Sequence, residues 1–469
     1  MSDTSVHPAY YAPDRRTALV LTGSGVDGAY HAGAVRGLTE AGVRLDVVAG
    51  RGVGAVGALF TAIDGGSRLW EPTGLWRRAS VRRLYPWRAA LRLLAGGLAL
   101  GAVLLVVPPL ALAVAGGVYQ VAVLADATSA GTGAWIAAEW ESLRLLAFSP
   151  AGLPTRVPQL IAAWLALLLV LLLVSAWQAR RLQPRRDVRG RLWWTLLASP
   201  LSAAPAVEYF VGGLWDLLRG GAAVKRPTRQ DLSRRYAELL AENLGQPGFR
   251  ELLLVTHDLD ARQDLVFALL DSDWRRPFFI RRQTTGLDRR SAEAVDLAGA
   301  ARDHTLDAVA AALSLPVATD PELVNFAPES YWRGETHRLT DRPGSLLRLL
   351  EEVASAGVRQ VILVTATEEL GGPHELSRRR IAPRARLGDY LASSEGAALR
   401  DALGAAAPWF DALFVIRPSH NPVSPLDTDG AYDERSDRVQ AVGELVDRGY
   451  EDAYRQFIDP VVGASGEQI

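Results

Sequence analysis

Along this chain the apolar positions follow two patterns, one of globular strands and helices and one of long uncharged runs. Near the start, 18–21 is an apolar run of strand length. The glycine-rich turn Thr22-Gly23-Ser24-Gly25-Val26-Asp27-Gly28 follows it, and from 29 to 40 apolar residues recur at helical spacing. A second strand is predicted at 45–49; it runs into the alternating glycines Gly50, Gly52 and Gly54 and leaves as a small-residue helix over 55–63. Strand, loop, helix and strand in that order predict a βαβα unit with a parallel pair. Strand-like runs return at 252–267, 360–367 and within 412–457, with a helix and loop over 308–321.

Between these halves the pattern changes. Neither 93–125 nor 157–179 contains a charged residue, and each exceeds the ~20 residues that cross ~30 Å of hydrocarbon. Two transmembrane spans are therefore expected. The first is longer than one span requires and contains Pro108-Pro109, which reads as a kinked span with an interfacial extension. Both flanking halves must join one sheet, so the number of crossings is even and the spans form a hairpin. Arginines crowd its outer ends (Arg77, Arg78, Arg82, Arg83, Arg88 and Arg92 before it; Arg180, Arg181, Arg185, Arg186, Arg189 and Arg191 after it), whereas the connecting loop carries Asp126, Glu139, Glu141, Arg144 and Arg156. By the positive-inside rule the globular part is cytoplasmic and the loop external, as in an integral protein of a prokaryotic plasma membrane. Glycines 96, 97, 101, 116 and 117 permit close helix contact, and with it a homo-oligomer or a protein partner, besides the membrane lipids themselves. The aromatic-rich stretch 192–220 fits an interfacial helix, a lid, or a buried core helix. The expected organisation is a tail (1–15) without signal-peptide character, a first globular part (16–72), the insertion (73–204), a second globular part (205–460) and a C-terminal tail (461–469).

Composition narrows the chemistry. With 51 basic against 52 acidic residues there is no global charge argument for nucleic acid as a partner. The absence of cysteine excludes disulfides, thiolate metal sites and a cysteine nucleophile. His257-Asp258 and Asp303-His304 are local pairs with no second ligand cluster, so neither metal nor cofactor is expected. Lys225 is the only lysine, a bias that codon usage explains and that bears little on function.

The glycine loop at 22–28 opens a helix, where converging N–H groups suit a phosphate or a developing oxyanion. It lacks the Lys-Ser/Thr pair of a P-loop and the register of a dinucleotide fingerprint. The turn at Gly50-Arg51-Gly52-Val53-Gly54 has the strand-turn-helix frame of a G-x-S-x-G nucleophile elbow, with glycine at the serine position. Together the two turns resemble the patatin-like phospholipase family, whose oxyanion loop, first helix and elbow are tracked without a gap by LVLTGSGVDGAYHAGAVRGLTEAGVRLDVVAGRGVGAVGALFTA. LLLVTHDLDARQDLVF, AVAAALSLPVATDP and QVILVTAT extend the likeness.

That resemblance implies an α/β fold, a patatin-type three-layer α/β/α sandwich with a mostly parallel central sheet, here interrupted by the transmembrane hairpin. It also implies a Ser-Asp dyad acting on lipid acyl esters. The nucleophile position is Gly52. The acid, expected in an Asp-Gly-Gly/Ala motif before the strand at 360–367, finds its nearest match in Arg333-Gly334-Glu335, so the aspartate is read as lost. Asp429-Gly430-Ala431 matches in letters but lies beyond the last strand and reads as a turn. The oxyanion loop Gly23, Ser24, Gly25, Val26, Asp27 and Gly28 keeps its glycines, yet places Asp27 where the family has a basic residue; an anion there opposes an oxyanion. No catalytic residue is therefore expected, with Ser24 (beside Asp27 and His31) and Asp429 as the remaining substitutes. Arg51 and Arg333 are candidate ligands for a lipid phosphate or carboxylate. The function these features predict is a membrane-anchored, catalytically inactive member of a lipid acyl-hydrolase lineage that binds lipid or a partner at the cytoplasmic face. The alternative is an active lipid acyl hydrolase with a rearranged site.

Overall fold

The structure is a computed structural model describing residues 11–125, 131–148, 153–182, 199–280, 289–369 and 382–463. It divides into two compact units, one of residues 1–86 with 201–469 and one of residues 87–200.

The first unit is a mixed α/β domain built on a mostly parallel sheet. Strands β1 (Thr17–Gly23), β2 (Val47–Gly52), β3 (Glu251–Asp258), β4 (Gln263–Leu269), β5 (Ala294–Asp296), β8 (Gln360–Thr365) and β9 (Ala412–Ile416) lie in the order β5-β4-β3-β2-β1-β8-β9. From β3 to β9 the neighbours are parallel, and β4 is antiparallel to β3. Off this path, β6 (Glu322–Asn325) pairs with β7 (Thr336–Thr340), which is antiparallel to the last residues of β3. β1 is central, with Leu19 opposite Val48 on one side and Ile362 on the other. Its successor strands run away from it in both directions, which leaves a topological switch point beyond the carboxyl ends of β1 and β8.

Every residue of β1 and β2 is buried, as a strand covered on both faces requires. Ala18 and Val20 face one core, with Leu253 and Val255 of β3, Leu349 and Val353 of helix Ser345–Ser355, and Leu399 of helix Pro383–Ala406. Leu21 points to the other face, where a Cβ on Gly57 of α2 (Gly54–Thr61) would lie 2.5 Å from its Cδ1. On that face α1 (Asp27–Glu40) packs against helix Glu444–Ala453 closely enough that a Cβ on Gly449 would fall 2.1 Å from the Tyr30 carbonyl oxygen.

Several expected boundaries move. The insertion begins at 87 rather than 73 and ends at 200 rather than 204, because Leu75, Trp76, Val81, Leu84 and Tyr85 are buried in the α/β unit. Arg77 is accordingly engaged with Asp447 of that unit, and Arg78 donates to the Thr73 carbonyl at 2.8 Å. Helix Ala204–Arg219 buries Phe210, Val211, Leu214 and Trp215, and so is a core helix of the α/β unit. The rest of the predicted interfacial stretch, with Trp193 and Trp194, lies outside the described residues.

Among the described residues the second unit has three helices, Ala89–Leu124, Gly131–Phe148 and Leu153–Leu182. The segment expected as a connecting loop is thus largely the middle helix. Among the described residues one helix, Ala89–Leu124, is long and apolar enough to cross a membrane, with 36 residues and an 18-residue stretch of mean hydropathy 2.5, none of it buried; the apolar stretch Pro158–Val174 is shorter. Within this unit Trp164 Nε1 donates to the Gly97 carbonyl at 3.1 Å, and Tyr119 stacks on Trp140 at 5.9 Å.

Candidate functional site

The sharp turn after β2 is present, and its centre is Gly52 at φ +55°, a left-handed conformation that glycine adopts without steric cost. Gly52 pairs with Gly23 at the end of β1, and the N–H of Val53 donates to the Gly23 carbonyl at 2.9 Å. A Cβ on Gly52 would meet that carbonyl oxygen at 2.1 Å and Asp341 Oδ2 at 3.0 Å. A serine therefore does not fit at the elbow unless the glycine loop moves.

The carboxylate facing the elbow is Asp341, which directly follows β7 and donates its N–H to the Ser314 carbonyl at 2.9 Å. A carboxylate therefore stands beside Gly52, at a position other than the Arg333-Gly334-Glu335 segment singled out from the sequence. Arg333 and Glu335 are instead exposed before β7; Arg333 sits in a turn at φ +47° and Glu335 lies 3.4 Å from His337 Nε2. No Asp-Gly-Gly/Ala letters mark Asp341, since Arg342-Pro343-Gly344 follows it. The usable signal was its position at the end of a strand pattern, before a proline-glycine turn and an amphipathic helix.

Arg51 fills the space beside Gly52. Fully buried, its guanidinium donates from Nε to Asp341 Oδ1 at 3.1 Å and from Nη2 to Asp341 Oδ2 at 2.8 Å. Nη1 donates to Thr22 Oγ1 at 3.0 Å, and both Nη1 and Nη2 donate to Glu395, the latter at 2.6 Å. Glu395 projects from the middle of helix Pro383–Ala406, where no sequence motif marks it. Ser24 Oγ completes the cluster, donating to Glu395 Oε1 at 2.8 Å with Asp341 Oδ2 at 3.4 Å. Burial works against the Arg51 charge, but Asp341 and Glu395 overcome it and hold the guanidinium protonated well above its usual range. Burial likewise raises the Asp341 carboxyl, with Arg51 pulling against it. Arg51 is thus saturated by protein groups and has no donor left for a lipid phosphate, whereas Arg333 is exposed in the turn before β7.

The glycine loop 22–28 is also occupied from within. Val26 N–H donates to the Pro425 carbonyl at 2.9 Å, and Ser24 N–H donates to Asp27 Oδ2 at 2.9 Å. A Cβ on Gly25 would lie 1.8 Å from the Pro425 oxygen, so the loop 421–428 is seated directly on the glycine turn. Burial pushes the Asp27 carboxyl up to about 8, offset in part by the Ser24 N–H. At neutral pH it is largely the neutral acid, which removes the repulsion expected of an anion. Burial also lowers His31 to about 4; its Nε2 lies 3.1 Å from the Thr22 carbonyl, and its Nδ1 is buried without a partner. Ser24 and His31 therefore do not form a nucleophile-base pair. Asp429 is exposed and sits 3.8 Å from Arg82. Among the described residues no group of three or more His, Asp or Glu side chains is placed to hold a metal ion.

No family model matches the chain, and no curated protein matches it. Among solved structures it is similar to VipD from Legionella pneumophila, at 12% sequence identity and a TM-score of 0.29, over 96% of this chain and 67% of that one. A likeness at that level carries no argument about fold or function.

Proposed function

We propose that this chain is a membrane-anchored protein of patatin-like lipid acyl-hydrolase descent, whose elbow has ceased to hydrolyse esters and whose α/β unit binds lipid or a partner at the cytoplasmic face. The observation that carries the catalytic part is the buried Arg51–Asp341–Glu395 cluster at Gly52. An elbow with a carboxylate beside it is the layout of a Ser-Asp dyad, which supports the ancestry. Here the carboxylate is bonded to a cation instead of a nucleophile, the Val53 N–H is committed to Gly23, and the whole arrangement is closed to solvent. Loss of a nucleophile in a serine hydrolase costs on the order of 10⁴ to 10⁶ in rate, and the sealed cluster removes the base and an oxyanion donor as well.

The membrane part is supported by where apolar surface is left uncovered. Leu98, Leu105, Val107, Leu110 and Val121 of helix Ala89–Leu124 are each about half exposed or more, and an uncovered stripe of that length is stable only in lipid or against a partner. Purified protein in detergent is expected to turn over neither short-chain p-nitrophenyl esters nor phospholipids above a denatured control. Hydrolysis that survives Ser24→Ala refutes the inactive reading outright. Hydrolysis abolished by Ser24→Ala establishes the rearranged-site alternative, because the Ser24 hydroxyl touches both carboxylates.

A further inference from the structure

The chain leaves the α/β unit and returns to it at a single neck. There Ser202 N–H donates to the Pro86 carbonyl at 3.1 Å and Leu201 N–H donates to the Ala318 carbonyl at 2.9 Å. The residue before Ala318 is Val317, which has φ +63° and is 82% exposed. Ala318 N–H closes onto the Pro316 carbonyl at 2.7 Å, so Val317 occupies the centre of a γ-turn of the strained, positive-φ kind. A β-branched side chain is a poor choice for that conformation, and a nearly fully exposed one gains nothing from folding in water. The turn holds an apolar side chain away from the body of the domain, one residue from the neck.

Chain length bounds how far the neck can stand from hydrocarbon. Helix Ala89–Leu124 starts three residues after Pro86, and its uncharged run begins at Leu93. Three extended residues and one helical turn span at most about 16 Å. The headgroup layer of one leaflet fills roughly 5–8 Å of that. Arg82 and Arg83, both exposed and within four residues of Pro86, add positive charge at the same place. Resting on the membrane reading above, we propose that Val317, one residue from the neck, together with Arg82 and Arg83, four and three residues before Pro86, is a docking surface of the α/β unit for an anionic lipid leaflet. The valine enters the boundary between headgroups and acyl chains while the arginines meet headgroup phosphates.

The natural absence of cysteine makes this testable on the full-length protein with one label at a time. Val317→Cys, Gln246→Cys in the loop before β3, and Leu105→Cys in the apolar helix are each labelled with an environment-sensitive fluorophore. They are reconstituted in nanodiscs of phosphatidylethanolamine and phosphatidylglycerol containing nitroxide lipids. With the nitroxide on the headgroup or a shallow acyl carbon, emission at 317 is expected to fall by more than half while emission at 246 is unchanged. With a deep nitroxide, emission at 105 is expected to fall. Quenching at 105 without quenching at 317 overturns the docking surface and leaves the membrane reading standing. Equal quenching at 246 and 317 also overturns it, and no quenching at 105 overturns both.

Discussion

Replacing Arg51 by methionine separates a structural ion cluster from an ordinary buried arginine. The substitution keeps an unbranched apolar stem and deletes the cation, leaving the Asp341 and Glu395 carboxylates facing one another in a site closed to water. Breaking a buried pair by removing one partner costs about 3–5 kcal/mol, because the remaining charge is desolvated and uncompensated; here two carboxylates are stranded. Against a total stability of about 5–15 kcal/mol the loss is severe. At about 2–4 °C per kcal/mol it lowers the melting temperature by about 6–20 °C. The sign with pH follows from Asp341, whose carboxyl burial already raises and which loses its counter-charge. A carboxyl with a raised folded pKa contributes most below its unfolded value and loses that contribution as pH rises, so the Arg51→Met deficit is largest near pH 8 and narrows toward pH 5. The triple variant Arg51→Met, Asp341→Asn, Glu395→Gln removes the charges together and is expected to recover most of the loss. Thermal unfolding of the detergent-solubilised full chain, followed by tryptophan fluorescence, reads all three. A single variant that melts with the wild type at pH 8, or a deficit that neither acid nor the triple variant reduces, refutes the reasoning.

Gly52→Ser places a Cβ 2.1 Å from the Gly23 carbonyl oxygen on a backbone at φ +55°, so it is expected to lose about 1–3 kcal/mol in the same melt and to gain no esterase turnover; a stable, active variant sinks the sealed-site account. For Asp27→Asn, the wild-type acid stabilises the fold fully below about pH 4 and loses about 1.4 kcal/mol per pH unit up to its folded value of about 8. The variant should therefore gain on the wild type as pH rises from 5 to 8, and a gap constant across that range contradicts the buried neutral acid. Gly449→Ala drives a Cβ to 2.1 Å from the Tyr30 carbonyl and is expected to cost about 1–3 kcal/mol by overpacking; an unchanged melting temperature means that α1 and helix Glu444–Ala453 are not in close contact.

Local patterns carried the fold further than they carried the site. β1, the glycine loop, α1 and the elbow are contiguous and regular, so period and glycine placement defined them to within a few residues. The long apolar runs were equally plain, yet the middle helix Gly131–Phe148 was missed because its apolar periodicity is weak and a loop was the simplest connection. At the site, Gly52 was legible because a turn constrains its neighbours, whereas Asp341 and Glu395 reach Arg51 across 290 and 344 residues of sequence. Nothing local distinguishes Glu395 from its neighbours, and Asp341 is marked only by its place between a strand pattern and a proline-glycine turn. Arg51 was noticed as a loop cation and assigned to ligand; only the folded partners make it an internal counter-ion. Asp27 was misjudged for the same reason, since its charge state depends on burial that the sequence does not display.

The centrality of β1 has a consequence for synthesis. Its two neighbours come from opposite sides of the insertion: β2 is made a few dozen residues later, but β8 follows only after residues 87–200 have been translated. Until then β1 presents one unpaired flank of backbone donors and acceptors, and β2 waits in the same way for β3. If the insertion enters the bilayer as it emerges, this half-built sheet is held at the membrane surface, where its open edges are shielded from other nascent chains and its missing partners arrive tethered nearby. The insertion would then act during assembly as a holding point for an unfinished domain.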